Sequence, residues 1–513
     1  MSGASSLRVV ILKPSKYGVT GQVERFRRGF MPNSTITHMA SMTPERVGDC
    51  AIETVTVDEY VQTDLGYLDL LRGNGSPVLL ALVGVQSHQF RRSLDLAAYA
   101  RAHGVEHAII GGPHAMTCET SALQGRGVSF AVSEAEVIWE RILEDAVNGA
   151  LEPVYGGEGR WQPELTAPVL TPPSSRDLRR YIVGMAGVYP ARGCPFTCNF
   201  CSVIKIAGRR IRSQDIDTTM ASIRALAGAG VRLIMFTSDN FNKYAEADEL
   251  LDRLIEARLP VRIFVQCDTQ VASDEAFIER LHRAGCFQMF VGVESFDRAA
   301  LLGAHKAQNH PETYGEIVRL CRKHNIATHF SNIIGFPGQT ADGVREHGRV
   351  LRELDPDIAS FYILTPIPGT EQYDDFLSAG RISEHNLDRY DGTNVTWTHD
   401  RMARAEIEDL LFESYRAFYP FSKVLHSTLE GIRRPASVTS WAANIGLVPF
   451  SRYCARQRVH PMSGGVGRVV VDHESDYLPF RRRRYDLERV PLPRSLRLSA
   501  SDETLNRRVN VAV

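Results

Sequence analysis

Residues 191–201 read Ala-Arg-Gly-Cys-Pro-Phe-Thr-Cys-Asn-Phe-Cys, and this stretch organises the rest of the 513-residue chain. Its three cysteines, Cys194, Cys198 and Cys201, follow a C-x3-C-x2-C spacing. An apolar run over residues 182–188 precedes them and is typical of a strand that enters a Gly/Pro loop. Thiolates are soft ligands that bind iron–sulfur clusters or zinc. Three thiols on one short loop therefore indicate a metal site.

The loop supplies three thiols, whereas iron–sulfur clusters and structural zinc sites usually take four protein ligands. The other cysteines lack a partner at metal-binding spacing: Cys50, Cys118, Cys267, Cys286, Cys321 and Cys454. We therefore favour a [4Fe-4S] cluster in which the loop holds three irons and one iron stays open, as catalytic metal sites keep a position for substrate. A zinc knuckle or a set of buried free cysteines is the alternative.

Phe200, directly before the third cysteine, makes this loop resemble that of the radical S-adenosylmethionine (SAM) superfamily. The resemblance implies that the amino and carboxylate groups of SAM chelate the open iron. It also implies that an electron from the cluster cleaves SAM to a 5′-deoxyadenosyl radical, and that Phe200 packs against the adenine.

The composition is that of an ordinary globular protein, with 43% hydrophobic residues, 23% charged residues and a formal net charge of −1. Such a chain has no electrostatic footprint for nucleic acid or membranes. No apolar run approaches the roughly 20 residues of a membrane-spanning helix, and residues 1–6 lead into a strand-like segment instead of a signal peptide. We expect a cytoplasmic protein of two or three domains with reduced thiols.

Residues 1–150 alternate short apolar runs with helix-length segments, which predicts a doubly wound, Rossmann-like parallel sheet. The predicted strands are residues 7–12, 78–85, 107–110 and 128–132. In such sheets a ligand lies outside the carboxyl ends of the strands. The loops at those ends carry Ser87, Gly111 and Gly112, and the glycines permit close approach of backbone to a bulky ligand.

This arrangement resembles the cobalamin-binding domain that precedes the barrel in one large radical SAM class, where a Gly-Gly-Pro-His loop such as residues 111–114 is common. The resemblance implies that Ser87 and the two glycines contact cobalamin. The Asp-x-His-x-x-Gly signature, which supplies a histidine to cobalt in other cobalamin enzymes, is absent, so the class implies binding without that histidine. His88 and His114 are candidate axial ligands, and a domain that no longer binds cobalamin is the alternative.

Residues 151–178 are rich in Pro, Gly and Ser and predict a linker to a second domain over residues 179–385. Strand-like runs recur in that domain between helical patterns, at residues 233–237, 261–266, 288–292, 327–334 and 358–364. With the strand before the cysteines they make six βα units, which predict a partial (β/α)6 barrel with its site at the carboxyl ends of the strands.

Polar residues end these strands, and the order of the endings resembles that of the radical SAM class with cobalamin domains. The resemblance implies that Asp239 and Asn240 meet the SAM amino group. It also implies that Glu294 and Ser295 meet the ribose or methionine end, and that backbone at Gly335 approaches the adenine. The structural alternatives are helix caps for Asp and Asn and a turn for Gly.

Three basic or glycine-rich features have less specific signals. Residues 209–212 include three arginines, which suit either a clamp for a carboxylate or a solvated basic turn. Residues 386–513 are expected to form a mostly helical capping region that sets the substrate, with a helix at residues 403–418 over the open side of the barrel. Its glycine-rich stretch at residues 460–468 does not match a P-loop, and residues 481–484 begin a basic tail.

The resemblance implies a cobalamin-dependent radical SAM methyltransferase that acts on an unactivated carbon of a small-molecule or natural-product precursor through a 5′-deoxyadenosyl radical and methylcobalamin. Its cofactors would be a [4Fe-4S] cluster, SAM and cobalamin, and its partner an electron donor such as flavodoxin or ferredoxin. A cyclase, rearrangement or oxidative enzyme without methyl transfer is the alternative. A non-catalytic metal-binding protein is a third possibility, but it would not need polar endings on successive strands.

Overall fold

The computed structural model of the protein describes residues 6–18, 22–73, 75, 77–157, 164–423, 425, 429, 438–461 and 465–471. These residues form a mixed α/β structure built on two largely parallel sheets, which confirms the predicted fold class at this level. The basic stretch at residues 481–484 lies outside the described residues.

The strands are β1 (Ser6–Lys13), β2 (Arg25–Gly29), β3 (Arg46–Val47), β4 (Cys50–Asp58), β5 (Val78–Leu82), β6 (His107–Gly111), β7 (Ser129–Ala131), β8 (Val154–Tyr155), β9 (Met185–Val188), β10 (Ala191–Arg192), β11 (Arg212–Ser213), β12 (Leu233–Phe236), β13 (Arg262–Cys267), β14 (Cys286–Glu294), β15 (Ala327–Ile334), β16 (Ile358–Ile363) and β17 (Gly465–Val469).

The α-helices are α1 (Ser34–Met42), α2 (Ser87–Ala102), α3 (Pro113–Thr117), α4 (Ala135–Val147), α5 (Ser175–Leu178), α6 (Val203–Ile206), α7 (Ile216–Gly228), α8 (Ala247–Ala257), α9 (Glu275–Arg283), α10 (Arg298–Gly303), α11 (Tyr314–Lys323), α12 (Ala341–Leu354), α13 (Glu371–Ser378), α14 (Arg404–Phe418) and α15 (Val438–Gln457). Among the described residues, no helix is both long and apolar enough to cross a membrane.

The first sheet has the strand order β3-β4-β1-β5-β6-β7-β8, and all its pairs except β3 with β4 are parallel. The strands predicted in this part of the chain are present as β1, β5, β6 and β7. Strand β4 lies outside the predicted set, because its exposed Thr and Glu residues interrupt any apolar run. The parallel pairing brings the loops after β1, β5, β6 and β7 to one edge of the sheet.

The second sheet has six parallel strands in chain order, β9-β12-β13-β14-β15-β16. Five of these strands are followed by helices or helical turns, and the apolar residues of α7, α8, α9, α11, α12 and α14 form one large core with the strands. The carboxyl ends of the six strands lie at one edge of the sheet, where the cysteine loop follows β9.

Helix α14 covers the free edge of β16, as expected for a helix on the open side. The hydroxyl of Tyr415 accepts from the backbone N–H of Phe361 at 3.1 Å, and that of Tyr419 accepts from Ala359 at 3.0 Å. Both hydroxyls also donate to the carbonyl oxygens of the same two residues. Two tyrosines thus satisfy backbone groups that an edge strand would otherwise expose to pairing with another chain.

One apolar core is shared by the two sheets. Val85 and Phe90, which follow β5, belong to the same buried cluster as Phe336 and Leu364, which follow β15 and β16. The loop after β16 approaches so closely that a Cβ at Gly369 would lie 2.6 Å from Thr117. The carboxyl edges of the two sheets are therefore held against each other by burial of apolar surface.

A buried ion pair ties the first sheet to the cysteine loop. Strands β10 and β11 pair as an antiparallel hairpin that brackets this loop. Arg212 on β11 donates through both Nη atoms to the two carboxylate oxygens of Glu134, each at 2.6 Å, and Glu134 lies between β7 and α4. The side chains are 0% and 8% exposed. Of the two interpretations offered for the arginines, neither holds for Arg212, because its carboxylate partner belongs to the protein itself.

We predict that Arg212→Met lowers the free energy of unfolding by about 2–3 kcal/mol, because it removes the bidentate partner of the buried Glu134 carboxylate and leaves it only Arg192, whose Nη1 lies 3.6 Å away. Arg210→Met is the matched control, since Arg210 pairs with Glu164 at 2.8 Å on the surface, where both side chains are more than 60% exposed. The control should change stability by less than about 1 kcal/mol. Urea unfolding followed by circular dichroism measures both, and equal losses would contradict the prediction.

Candidate cofactor site

The cysteine loop starts at a glycine that no other residue could replace without distortion. Gly193 has φ +109°, and a Cβ there would lie 2.3 Å from the carbonyl oxygen of Arg210. Its backbone N–H donates to Asp239 Oδ2 at 2.9 Å, and the N–H of Cys194 donates to Gly208 O at 3.1 Å. The beginning of the loop is thus fixed against both the β12 end and the returning strand β11.

The three thiols lie on this loop with side-chain amides beside two of them. Asn240 Nδ2 donates to Cys194 Sγ at 3.7 Å, and Gln308 Nε2 donates to Cys198 Sγ at 3.6 Å. Burial raises the pKa of Cys194 and raises that of Cys201 to about 12. A bound metal must displace these protons, because thiolate is the ligating form.

The donor set fits an iron–sulfur cluster, which takes one soft thiolate on each ligated iron. In the described part of the chain, no three His, Cys, Asp or Glu side chains are placed to hold a metal ion together. A mononuclear site needs all its sulfurs within about 2.3 Å of one point, whereas a cluster spreads them around a larger body. Three thiolates on one loop can hold three irons of a cluster, whereas a structural zinc site takes a fourth protein ligand, so this donor set suits a cluster better than a zinc knuckle.

Glu294 ends β14 in the left-handed region, with φ +61°, and is 7% exposed. Lys306 Nζ donates to its Oε1 at 2.6 Å and lies 5.9 Å from the centre of the Phe200 ring. Burial alone would lower the pKa of Lys306, but the Glu294 carboxylate and then Cys198 outweigh it and raise that pKa. The predicted residues Glu294 and Phe200 are thus brought together by a lysine between them.

Sequence reasoning missed Lys306 and Gln308, which lie in the irregular segment after α10. This segment follows no strand directly and has no periodic pattern, so nothing in the sequence distinguishes it from an ordinary surface turn. Its proximity to the cysteine loop comes from the tertiary structure, where the Asn199 backbone N–H donates to Ala304 O at 3.2 Å.

The end of β12 has buried polar atoms without a partner. Asp239 and Asn240 both lie beside the cysteine loop, and burial raises the pKa of Asp239. Asn240 Oδ1 and Ser238 Oγ are buried and make no hydrogen bond. Such atoms normally have partners, so they mark a place where a polar ligand group would be bound.

Ser295 and Gly335, the two remaining predicted SAM contacts, are both engaged in turns. Ser295 is fully buried and its hydroxyl accepts from the backbone N–H of Asp297 at 3.0 Å. Gly335 has φ +91°, and its N–H donates to Gln339 Oε1 at 2.8 Å. The serine hydroxyl thus already has a local hydrogen-bond partner, and an atom added at the Cα of Gly335 would lie 3.6 Å from Ile407 of α14.

A cavity of about 310 Å³ lies between the glycine loops of the first sheet and the cysteine hairpin. Most of its wall is apolar. The residues that line it are Thr35, His38, Met39, Ala81, Leu82, Val83, Gly84, Ile109, Gly111, Gly112, Pro113, Met116, Ala131, Ser133, Glu134, Ala135, Glu136, Ile138, Trp139, Ile142, Tyr189, Arg192, Ile206, Ala207, Thr237 and Asp239. The predicted residues Gly111, Gly112 and Asp239 thus share one cavity.

The polar part of this wall is a charged network. Glu136 accepts from His38 Nε2 at 2.8 Å and from Arg192 Nη2 at 2.7 Å, and Arg192 lies over the Tyr189 ring. Burial alone would raise the pKa of Glu136, but His38 and Arg192 outweigh it and lower that pKa. The carboxylate is therefore ionised at neutral pH and holds the Arg192 guanidinium and the His38 ring at the wall.

Ser87 and the two candidate histidines are not among the residues that line the cavity. Ser87 Oγ lies 3.1 Å from His114 Nδ1 at the start of α2, so the serine holds the histidine. Burial lowers the pKa of His114 and of His88 to about 3, so both rings are neutral at physiological pH. His114 Nε2 is buried without a hydrogen bond, but it does not face the cavity wall.

A cysteine loop after the first strand of a parallel six-stranded sheet, next to polar strand ends, is the arrangement expected of a radical SAM domain. Residues 188–351 match the family described as the radical SAM superfamily, so the chain contains a domain of that family. The class predicted from the cysteine spacing is therefore confirmed.

Similar proteins come from two comparisons. Bacteriochlorophyllide d C-8(2)-methyltransferase of Chlorobaculum tepidum is 24% identical over 369 residues, which are 69% of this chain and 81% of that protein. Among solved structures, the methyltransferase TsrM of Kitasatospora setae, with cobalamin and a [4Fe-4S] cluster bound, has a TM-score of 0.56 at 18% identity. The match covers 73% of this chain and 75% of the TsrM chain. The cobalamin-dependent SAM radical enzyme OxsB has a TM-score of 0.58 at 13% identity, and the match covers 88% of this chain and 72% of the OxsB chain. Both structures share the fold of this chain.

We predict that Gly112→Ala lowers the free energy of unfolding by at least about 3 kcal/mol. Gly112 has φ +129°, and a Cβ there would lie 2.2 Å from the backbone nitrogen of Val85, which cannot move without the β5 loop. Gly104→Ala is the control, because Gly104 also has positive φ but nothing within 4 Å of the added atom. Gly104→Ala should lower the free energy of unfolding by about 1–2 kcal/mol. Urea unfolding compares the two, and equal losses would mean that close packing of the cavity loops is unimportant.

Proposed function

We propose that this protein is a cobalamin-dependent radical SAM methyltransferase that acts on an unactivated carbon of a small molecule. The observation that carries the proposal is that Gly112, from a glycine loop of the first sheet, and Asp239, beside the cysteine loop, line the same cavity. A cofactor in the first sheet and a cofactor on the cysteine loop would then face each other across a short distance. Radical abstraction and methyl transfer at one carbon need that arrangement.

The three cofactors supply the radical and the methyl group when bound, and the protein supplies position and exclusion of water. We assign the cluster to Cys194, Cys198 and Cys201. The assignment is supported by their placement on one loop with amide donors beside two sulfurs.

For SAM we assign Asn240 and Asp239 to the amino group, because Asn240 Oδ1 is buried without a partner beside the cysteines. Glu294 is assigned to the ribose or methionine end, and Lys306 fixes its carboxylate. Phe200 and Gly335 are assigned to the adenine. Ser295 is the weakest member of this set, because its hydroxyl already accepts from Asp297.

For cobalamin we assign Gly111 and Gly112, supported by the order of the first sheet. Counting its parallel strands along the chain from β1, the order is 2-1-3-4-5-6, the flavodoxin-like doubly wound order, with the reversal between β1 and β5. Ligands bind at the carboxyl ends beside such a reversal. The apolar cavity suits part of a large, flat cofactor, and His88 and His114 are left out of the metal's coordination. Ser87 then orients the His114 ring and is left out of the cofactor contacts as well.

In this proposal residues 1–150 form the Rossmann-like cobalamin domain, 151–178 the linker, 179–385 a partial (β/α)6 barrel and 386–513 the substrate region. A soluble electron donor such as flavodoxin or ferredoxin delivers the electron in the cytoplasm. The relative from Chlorobaculum tepidum is named for methylation of bacteriochlorophyllide d, and the proposal takes from it only the reaction class.

Anaerobic reconstitution with iron and sulfide tests the cluster. We predict about four irons per wild-type chain, and loss of most of this iron and of the visible cluster absorbance in Cys198→Ala. Cys286→Ala is the control, because Cys286 is buried in β14 and its thiol donates to Gln288 O at 3.5 Å. Unchanged iron in Cys198→Ala would refute the cluster assignment.

Purification with cobalamin, followed by an anaerobic reaction with SAM and dithionite, tests the reaction class. We predict one cobalt per chain and formation of both 5′-deoxyadenosine and S-adenosylhomocysteine. 5′-Deoxyadenosine without S-adenosylhomocysteine would reject methyl transfer and favour a radical cyclase, rearrangement or oxidative enzyme.

A further inference from the structure

The segment 305–310 between α10 and α11 lies against the cysteine loop in a fixed conformation. Asn309 is fully buried, and its Nδ2 donates to the carbonyl oxygens of Gly292 and Val293, both at 2.9 Å. The hydroxyl of Thr269 donates to Asn309 Oδ1 at 3.1 Å. These bonds hold the backbone of the segment, so the side chains on it are presented at fixed positions.

Gln308 is one of these side chains, and its amide reaches Cys198 Sγ at 3.6 Å. Its contact with sulfur is not needed to hold the turn, because Asn309 already does so. Asn240 comes from a different strand end and reaches a different thiol, Cys194 Sγ, at 3.7 Å. Two independent parts of the fold therefore direct amide N–H groups to the sulfurs of this loop.

Of the cations near these sulfurs in the described part of the chain, Arg209 donates to the carbonyl oxygen of Pro195 at 3.2 Å, and Lys306 is already neutralised. Lys306 donates to Glu294 at 2.6 Å, so the ammonium and the carboxylate form a pair with little net charge. The amides of Gln308 and Asn240 are thus side-chain hydrogen-bond donors to these sulfurs, in addition to the backbone N–H groups of Phe196 at Cys194 and Val203 at Cys201. Hydrogen bonds to cluster sulfurs are one of the factors that set the reduction potential of such a centre.

We propose that Gln308 and Asn240 raise the reduction potential of the cluster, an inference that rests on the cluster assignment above. When a [4Fe-4S]2+ cluster takes one electron from a reductant to become [4Fe-4S]+, the added charge spreads onto its sulfurs. An N–H donor stabilises a sulfur of the reduced cluster, which is more negative, more strongly than the same sulfur in the oxidised cluster. The amides thus lower the free energy of the reduced state, and a weaker reductant can supply the electron.

Gln308→Leu tests this, because it removes the donor and keeps the volume. At one fixed potential, set with dithionite and mediators and without SAM, we expect the ratio of reduced to oxidised cluster to fall about tenfold, which is 59 mV for a one-electron couple. The readout is the EPR signal of the reduced cluster during a potentiometric titration, with iron counted per chain. Gln308→Glu cannot donate when ionised and should lower the ratio at least as far.

Gln270→Leu is the matched control. Gln270 is an exposed glutamine that lines the same surface cavity as Gln308. The reduction potential of the cluster in Gln270→Leu should equal that in the wild type. A wild-type potential in Gln308→Leu and Gln308→Glu, with four irons retained, would overturn the proposal. Loss of iron in both variants would also overturn it, since the amide would then hold the loop and not tune the cluster. Absence of iron from the reconstituted wild type would instead refute the cluster assignment.

Discussion

The bidentate ion pair between Arg212 and Glu134 is the constraint on which the arrangement of the site depends. It joins the loop after β7 of the first sheet to the hairpin that brackets the cysteines, and it does so almost out of contact with water. A buried pair of this kind gains little net stability over apolar packing, but breaking one side of it is costly. Its effect is positional, because the planar guanidinium and carboxylate meet in one geometry. The cysteine loop is therefore positioned by a residue from the other sheet.

The shared apolar core acts in the same direction over a larger area. The clusters around Phe90 and Phe336 merge, so the two sheets do not behave as separate bodies with a polar interface. Hydrophobic burial is non-directional and sets the distance between the two sheets, whereas the ion pair sets their relative orientation. Together they place the carboxyl ends of both sheets around one cavity. Two cofactors, each in the usual place for its own sheet, would then meet at a substrate between them.

The electrostatics around the thiols follow from the same packing. Lys306 and Gln308 come from a turn that is distant in sequence from the cysteines, and Asn240 comes from the end of the neighbouring strand. The lysine is paired with Glu294 and adds little net charge, so the local field at the sulfurs is set by oriented amides. In a site with few waters such dipoles act more strongly than they would in solvent.

The sequence by itself determined the cysteine loop, the strands of both sheets except β3, β4 and β8, and most polar strand ends, since spacing and apolar periodicity are local properties of the chain. It also placed Asp239, Asn240 and Glu294 at the carboxyl edge, because each directly follows or ends an apolar run. Only the tertiary structure brought Lys306 and Gln308 to the cysteines and turned His114 towards Ser87 and away from the cavity. Contacts of this kind join segments that are far apart in sequence and have no periodic signal. The physical reason is that such contacts are chosen by packing of the two sheets, which no single stretch of the chain encodes.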